Sequence, residues 1–273
     1  MFFALKSANV INGFINPNNM FYSQINPVLA QLGSFEVRFY GVVYALSFIL
    51  LYFFVLYLAK QRKLRLSKEK VSDLVIYIIV GLVVFARIFY VVFYNLQYYL
   101  KYPLEILMPW HGGMSFHGGL AGAVLAVLLF CRKNKIGFYD LADIISIPAA
   151  AFLMLGRIAN FLNGELYGRI TSVPWAVKFP GTEGFRHPSQ IYESFKNLFI
   201  FSVLWFIKDK KLPKGFIFWL FVALSGFLRI FVEFFRMPDS QLGFIFWNLS
   251  MGQLFSIALF VAGIAMLFAV SRK

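Results

Sequence analysis

Residues 42–59, VVYALSFILLYFFVLYLA, decide the fold class. The block is apolar on every side. It lacks the alternating polarity of a barrel strand, and a segment of this kind in hydrocarbon satisfies its backbone groups only as a helix. Crossing ~30 Å of hydrocarbon takes about 20 such residues. Working outward from this block, hydropathy predicts membrane helices over 39–59, 71–97, 115–131, 138–158, 191–207, 215–236 and 249–270. Composition agrees: of 273 residues, 60% are hydrophobic and 14% charged, and the mean hydropathy is +0.72, far from a soluble domain. The expected architecture is an all-α polytopic membrane protein with seven transmembrane helices. Residues 1–25 read as an N-terminal extension and 26–273 as a single seven-helix domain.

A net charge of +14 invites a nucleic-acid partner, but the placement of the charges argues against one. Lys60, Arg62, Lys63, Arg65, Lys68 and Lys70 fall between the first two spans. Arg132, Lys133 and Lys135 fall between the third and fourth, Lys208, Lys210, Lys211 and Lys214 between the fifth and sixth, and Arg272 and Lys273 end the chain. These are alternate loops, so the positive-inside rule places them and the C-terminus in the cytoplasm and the N-terminus outside. The single cysteine, Cys131, permits no intrachain disulfide and reads as filler. Residues 1–20 lack a basic n-region with a cleavage site.

Ionisable groups inside a bilayer cost about 2.5–3.5 kcal/mol each on insertion scales, so each calls for a reason. Arg87, Arg157, Arg229 and Arg236 all fall in the outward half of their spans. Arg229, Glu233 and Arg236 stand at i, i+4 and i+7, which on one continuous helix sets Glu233 against both arginines. A guanidinium is a rigid fork of donors that fits phosphate, so the ladder reads as a pocket for an anionic lipid head group open to the outer leaflet. The plainer alternative is that these arginines snorkel, or pair with Glu233 and Glu165, only to hold the bundle together. Four arginines on three spans favour a shared site.

The outer loops add polar groups. In HGGMSFHGGLAG, residues 111–122, glycines at a helix start serve either an anion or tight helix packing. His117 is either a general base or a hydrogen-bonded structural histidine. GRIANFLNGELYGR, residues 156–169, places Arg157 and Asn160 on one face, with a turn at Asn163-Gly164. RHPSQIYES, residues 186–194, carries Ser189, Gln190, Tyr192 and Glu193, too polar for idle lipid-facing surface, the alternative being an interfacial belt. A lipid transporter would share the arginines but usually shows internal repeats and broken helices, and none is seen here. A scaffold would not need so many converging polar groups, and HExxH, GxSxG and paired aspartates are all missing.

Four blocks carry a family resemblance: GGMSFHGG, GRIANFLNGELYG, RHPSQIYE, and GFLRIFVEFFRMPD followed by SMGQ. With VRFYG near Tyr40 and ARIFYVVFYN around Arg87, the chain resembles the prolipoprotein diacylglyceryl transferases from about residue 26 to its C-terminus. The resemblance implies a seven-helix enzyme of the bacterial inner membrane, with its N-terminus and active site on the periplasmic side. Such an enzyme moves the diacylglyceryl group of phosphatidylglycerol onto the lipobox cysteine of prolipoprotein signal peptides, with no metal or organic cofactor. By position, Arg157 matches the family's phosphatidylglycerol-binding arginine, with Asn160, Glu165 and Gly168 around it. His117, Tyr40, Arg229, Glu233 and Arg236 match residues the family needs. His117 and Arg229 are the expected catalytic pair, His117 as base and Arg229 on the leaving phosphate, unless an arginine field alone activates the thiol. Ala159 stands where the family often has glycine, and Phe85, Ala86 and Phe89 flank Arg87 where small residues are usual.

Overall fold

The stretch 42–59 lies within α1, Phe39–Gln61, of the computed structural model, which describes residues 21–22, 28–32, 35–237, 244–246 and 249–272. The other helices are α2 (Lys68–Tyr94), α3 (Leu96–Lys101), α4 (Phe116–Asn134), α5 (Phe138–Leu162), α6 (Ser189–Ile207), α7 (Phe216–Glu233) and α8 (Met251–Ser271). Short strands of two to five residues decorate the loops. Among the described residues six helices, α1, α2, α4, α5, α7 and α8, are long and apolar enough to cross a membrane. The chain is a multi-pass helical membrane protein. The seventh expected stretch, 191–207, is α6, whose N-terminal half is too polar to join the six by composition. That half is sheltered: Ser189, Gln190, Glu193, Ser194 and Asn197 are all buried.

Local chemistry explains where helix ends depart from expectation. Ser67 accepts a hydrogen bond from the Lys70 amide at 3.3 Å, starting α2 at Lys68 rather than residue 71. α7 stops at Glu233 instead of running to 236, because the chain leaves the helix to form a bridge between Arg236 and Gly168. α5 continues to Leu162 and ends in a Schellman turn. There the amide of Gly164 (φ +68°) donates to Phe161 O and that of Glu165 to Asn160 O, each at 3.0 Å.

The helices group into two compact units. One comprises residues 51–145, with the C-terminal part of α1, α2, α3, α4 and the start of α5. Here α2 and α4 cross through glycines: a Cβ on Gly122 would sit 2.1 Å from Gly81 O, and one on Gly118 would sit 2.5 Å from the Phe89 Cβ. Phe85 and Phe89 are thus accommodated by missing side chains on the facing helix, and Gly118 and Gly122 serve helix packing. Val55, Leu58, Val71, Leu74, Leu141 and Ile144 are fully buried, and Arg62 pairs with Asp143 at 3.5 Å.

The second unit comprises residues 1–50 and 146–273. In it α7 and α8 approach closely where Gly226 meets Ser256 O and Phe260 N, and where Gly263 meets Ala223. The 163–188 loop is laced to the end of α7 by amide bonds from Gly168 to His187 O and from Arg169 to Phe235 O, each 2.9 Å. Arg169 Nε donates to Arg236 O at 2.9 Å.

Candidate active site

The second unit gathers the intramembrane charges around one carboxylate. Glu193, four residues into α6, is 3% exposed at its side chain. Its Oε1 accepts from Arg229 Nη1, its Oε2 accepts from Lys196 Nζ at 2.8 Å, and Arg157 Nε stands 3.8 Å from the same Oε2. Three cations from three helices therefore converge on Glu193. Arg229 also faces Glu233 on its own helix, with Nη2 2.9 Å from Oε2. The angle there falls short of a hydrogen bond, leaving that oxygen unsatisfied. Glu233 Oε1 in turn accepts from Ser250 Oγ at 3.1 Å, and Ser250 and Gln253 form a reciprocal capping box at the start of α8. A Cβ on Gly252 would come 2.5 Å from Glu233 Oε1, so a side chain there would push the carboxylate from its place.

Three cations against two carboxylates leave this cluster with a positive charge. Arg236 adds another, lying near enough to Arg229 and Arg157 to feel their charge. Arg157 has no hydrogen-bonded partner among the described residues, so its forked donors are available to a ligand. Tyr40 and Tyr44, joined hydroxyl to hydroxyl at 3.0 Å, lie within its electrostatic reach. The Schellman turn returns Glu165 to Asn160, whose Nδ2 donates to Glu165 Oε1 at 2.8 Å, and Gln190 Nε2 holds Glu165 O at 2.7 Å. Gly168 is buried with no room for a side chain: a Cβ would meet Phe235 O at 2.4 Å and His187 Cβ at 2.8 Å. Beside it the half-buried His187 has its pKa lowered by burial.

Several expectations need correction. Arg87 does not join the cluster, because its guanidinium is spent in its own unit. Its Nε donates to Ile106 O at 3.0 Å, Nη1 to Gly112 O and Gly113 O, and Nη2 to Glu105 O and Met108 O, while Tyr99 stacks 4.9 Å away. It clamps the loop between α2 and α4. Arg236 does not extend a helical ladder, since α7 has ended; among the described residues the ion pair of Glu233 is with Arg229. Glu165 is held by amides instead of bracing an arginine, and bracing falls to Glu193.

The family pattern described as prolipoprotein diacylglyceryl transferase matches residues 27–269. The chain belongs to the prolipoprotein diacylglyceryl transferase family. The phosphatidylglycerol–prolipoprotein diacylglyceryl transferase of Geobacter sulfurreducens is 46% identical over 256 residues, 93% of this chain and 98% of that protein. The enzyme of the same name from Rickettsia canadensis is 40% identical over 249 residues, covering 89% and 96%, and that from Aeromonas salmonicida 41% over 259 residues, covering 92% of each.

As a diacylglyceryl transferase family member, the chain brings Tyr40, Arg157, Asn160, Glu165, Gly168, Arg229, Glu233 and Arg236 into one unit. His117 belongs to the other, exposed in the first turn of α4 beside the buried Gly118 and Gly119. In the sequence Glu193 reads only as a polar residue, and Lys196 falls inside an expected span without a role. The available signal was a Glu and a Lys at i, i+3 inside an otherwise membrane-like segment, each costing about 2.5–3.5 kcal/mol unless paired.

Proposed function

We propose that this chain transfers the diacylglyceryl group of phosphatidylglycerol to the lipobox cysteine thiol of prolipoproteins, forming a thioether and releasing glycerol 1-phosphate, the first step of lipoprotein maturation. Family membership over nearly the whole chain carries this reading. The surplus of positive charge around Arg157 and Arg229 supports it, because the donor lipid presents a phosphodiester anion.

In this reading α6 is the seventh membrane span, its polar half covered by protein, and residues 26–273 work as one catalytic domain. The basic loops lie in the cytoplasm with the C-terminus, the N-terminus is periplasmic, and the site faces the periplasmic side of the inner membrane. Arg157 and Arg236 hold the lipid phosphate, with Tyr40, Asn160, Glu165 and Gly168 shaping the pocket. The acceptor sulfur attacks C3 of the diacylglyceryl group, a C–S bond forms as the C3–O bond to phosphate breaks, and Arg229 stabilises the charge gathering on the departing oxygen. Glu233 and Glu193 orient Arg229 for that task. His117 takes the thiol proton, since a thiol with a pKa near 8.5 is only a few per cent thiolate at neutral pH.

Purified protein in phosphatidylglycerol-containing micelles, given a lipobox peptide, should release glycerol phosphate and add a diacylglyceryl mass to the cysteine. Binding of the lipid with no transfer to a good acceptor would overturn the enzyme reading in favour of a lipid transporter. Replacing His117 by Gln should slow transfer most at low pH if it is the base. An unchanged pH profile would assign thiol activation to the arginine field.

A further inference from the structure

Lys196 stands out because nothing in the transfer chemistry above uses it. It lies one turn along α6 from Glu193, 10% exposed at its side chain, in a segment where an apolar residue would serve the bilayer better. Its ammonium occupies Glu193 Oε2 at 2.8 Å, the same oxygen that Arg157 approaches only to 3.8 Å. Oε1 of that carboxylate is taken by Arg229. With both oxygens engaged at hydrogen-bond distance by other cations, Arg157 is left at ion-pair range and without a hydrogen bond among the described residues.

Resting on the transferase reading, we propose that Lys196 is a positioning residue for the lipid phosphate: by filling Glu193 Oε2 it keeps the Arg157 guanidinium free to bind phosphatidylglycerol. Two consequences follow from its removal. Arg157 gains an unfilled carboxylate oxygen and is drawn into a full hydrogen-bonded pair with Glu193. Counted with Arg236, the surplus of positive charge over Glu193 and Glu233 also falls from two to one, which weakens its attraction for an anion. Both weaken binding of the anionic lipid. Neither touches the reacting carbon or the leaving oxygen, because the contacts of Arg229 to Glu193 and Glu233 remain.

The experiment compares wild type, Lys196→Met and Lys196→Arg in detergent, with phosphatidylglycerol varied, the lipobox peptide saturating, and thermal unfolding followed on the same samples. Lys196→Met should raise KM for phosphatidylglycerol about tenfold while kcat stays within about twofold, the signature of lost binding and not of lost chemistry. Lys196→Arg, which keeps a cation against Oε2, should return KM to within about threefold of wild type. If Lys196→Met does not fold, Lys196→Gln carries the same test with a polar filler in place of the ammonium. An unchanged KM in a folded charge-removing variant overturns the proposal. So does a Lys196→Arg variant with the same KM defect as Lys196→Met, which would make the shape of lysine, not its charge, the requirement. A wild type that forms no thioether sinks the transferase reading itself, an outcome separate from either.

Discussion

Arg229 reaches Glu193 on α6 with one arm of its guanidinium while the other stands 2.9 Å from Glu233, one turn on along α7. A fork held at both ends has little freedom to turn, and in a site sheltered from water a fixed donor aimed at developing charge does not have to reorganise during the reaction.

Glu193→Gln should therefore be more damaging than Glu165→Gln. Removing one partner of a buried ion pair costs about 3–5 kcal/mol, and here three cations lose their anchor together. We expect a fall in transfer rate of at least about a hundredfold, of the size seen when an oxyanion donor is misplaced. Glu165 is exposed and held by the Asn160 and Asn163 amides, so its loss should cost far less. Initial rates of glycerol phosphate release compare the two; equal losses would refute the ranking.

Arg87 and Arg157 should separate cleanly. Arg87→Leu strands several carbonyls of the 105–113 loop and should lower the unfolding temperature markedly, each charge-assisted bond being worth about 1.5–3 kcal/mol. KM for phosphatidylglycerol in the protein that stays folded should not move. Arg157→Ala should do the reverse, leaving the melt nearly intact and abolishing lipid binding. Melting curves alongside lipid titrations by native mass spectrometry decide it.

At Gly168 even one methyl group is excluded, because the atoms it would strike include backbone carbonyls that cannot swing aside. Gly168→Ala should destabilise the loop and the end of α7 by about 1–3 kcal/mol. Faster proteolysis between residues 163 and 188 would report it, and a wild-type cleavage pattern with lost activity would instead argue for direct contact with lipid.

His187 predicts an acid limb of stability. Burial holds its folded pKa below the ordinary value of 6.5, so the unfolded chain accepts a proton that the folded chain resists. The stabilisation is complete above pH 6.5 and declines as pH falls from there toward the depressed folded value. His187→Gln should flatten that decline in a series of melts; an identical slope in the variant would remove His187 from the account.

The sequence determined the solvent in which this protein folds and the length of its spans, because hydropathy summed over about 20 residues is a property of the local chain. It also marked Arg157, Asn160, Glu165, Arg229 and Glu233 as costly side chains in need of partners, and the Gly164 turn after α5, whose signal lies within a few residues. Beyond the local pair of Arg229 with Glu233, it did not reveal which partners they take. Arg87 and Arg157 look alike in sequence, each an arginine late in an apolar run, yet one is consumed by loop carbonyls and the other keeps its donors. That difference depends on where the 102–114 loop folds back. Glu193 reads in the sequence only as one polar residue among several, and Lys196 carries no role there; α5, α6 and α7 bring three cations to one carboxylate. Pairing among buried charges is settled by distances between helices far apart in the chain, and only the tertiary structure sets those.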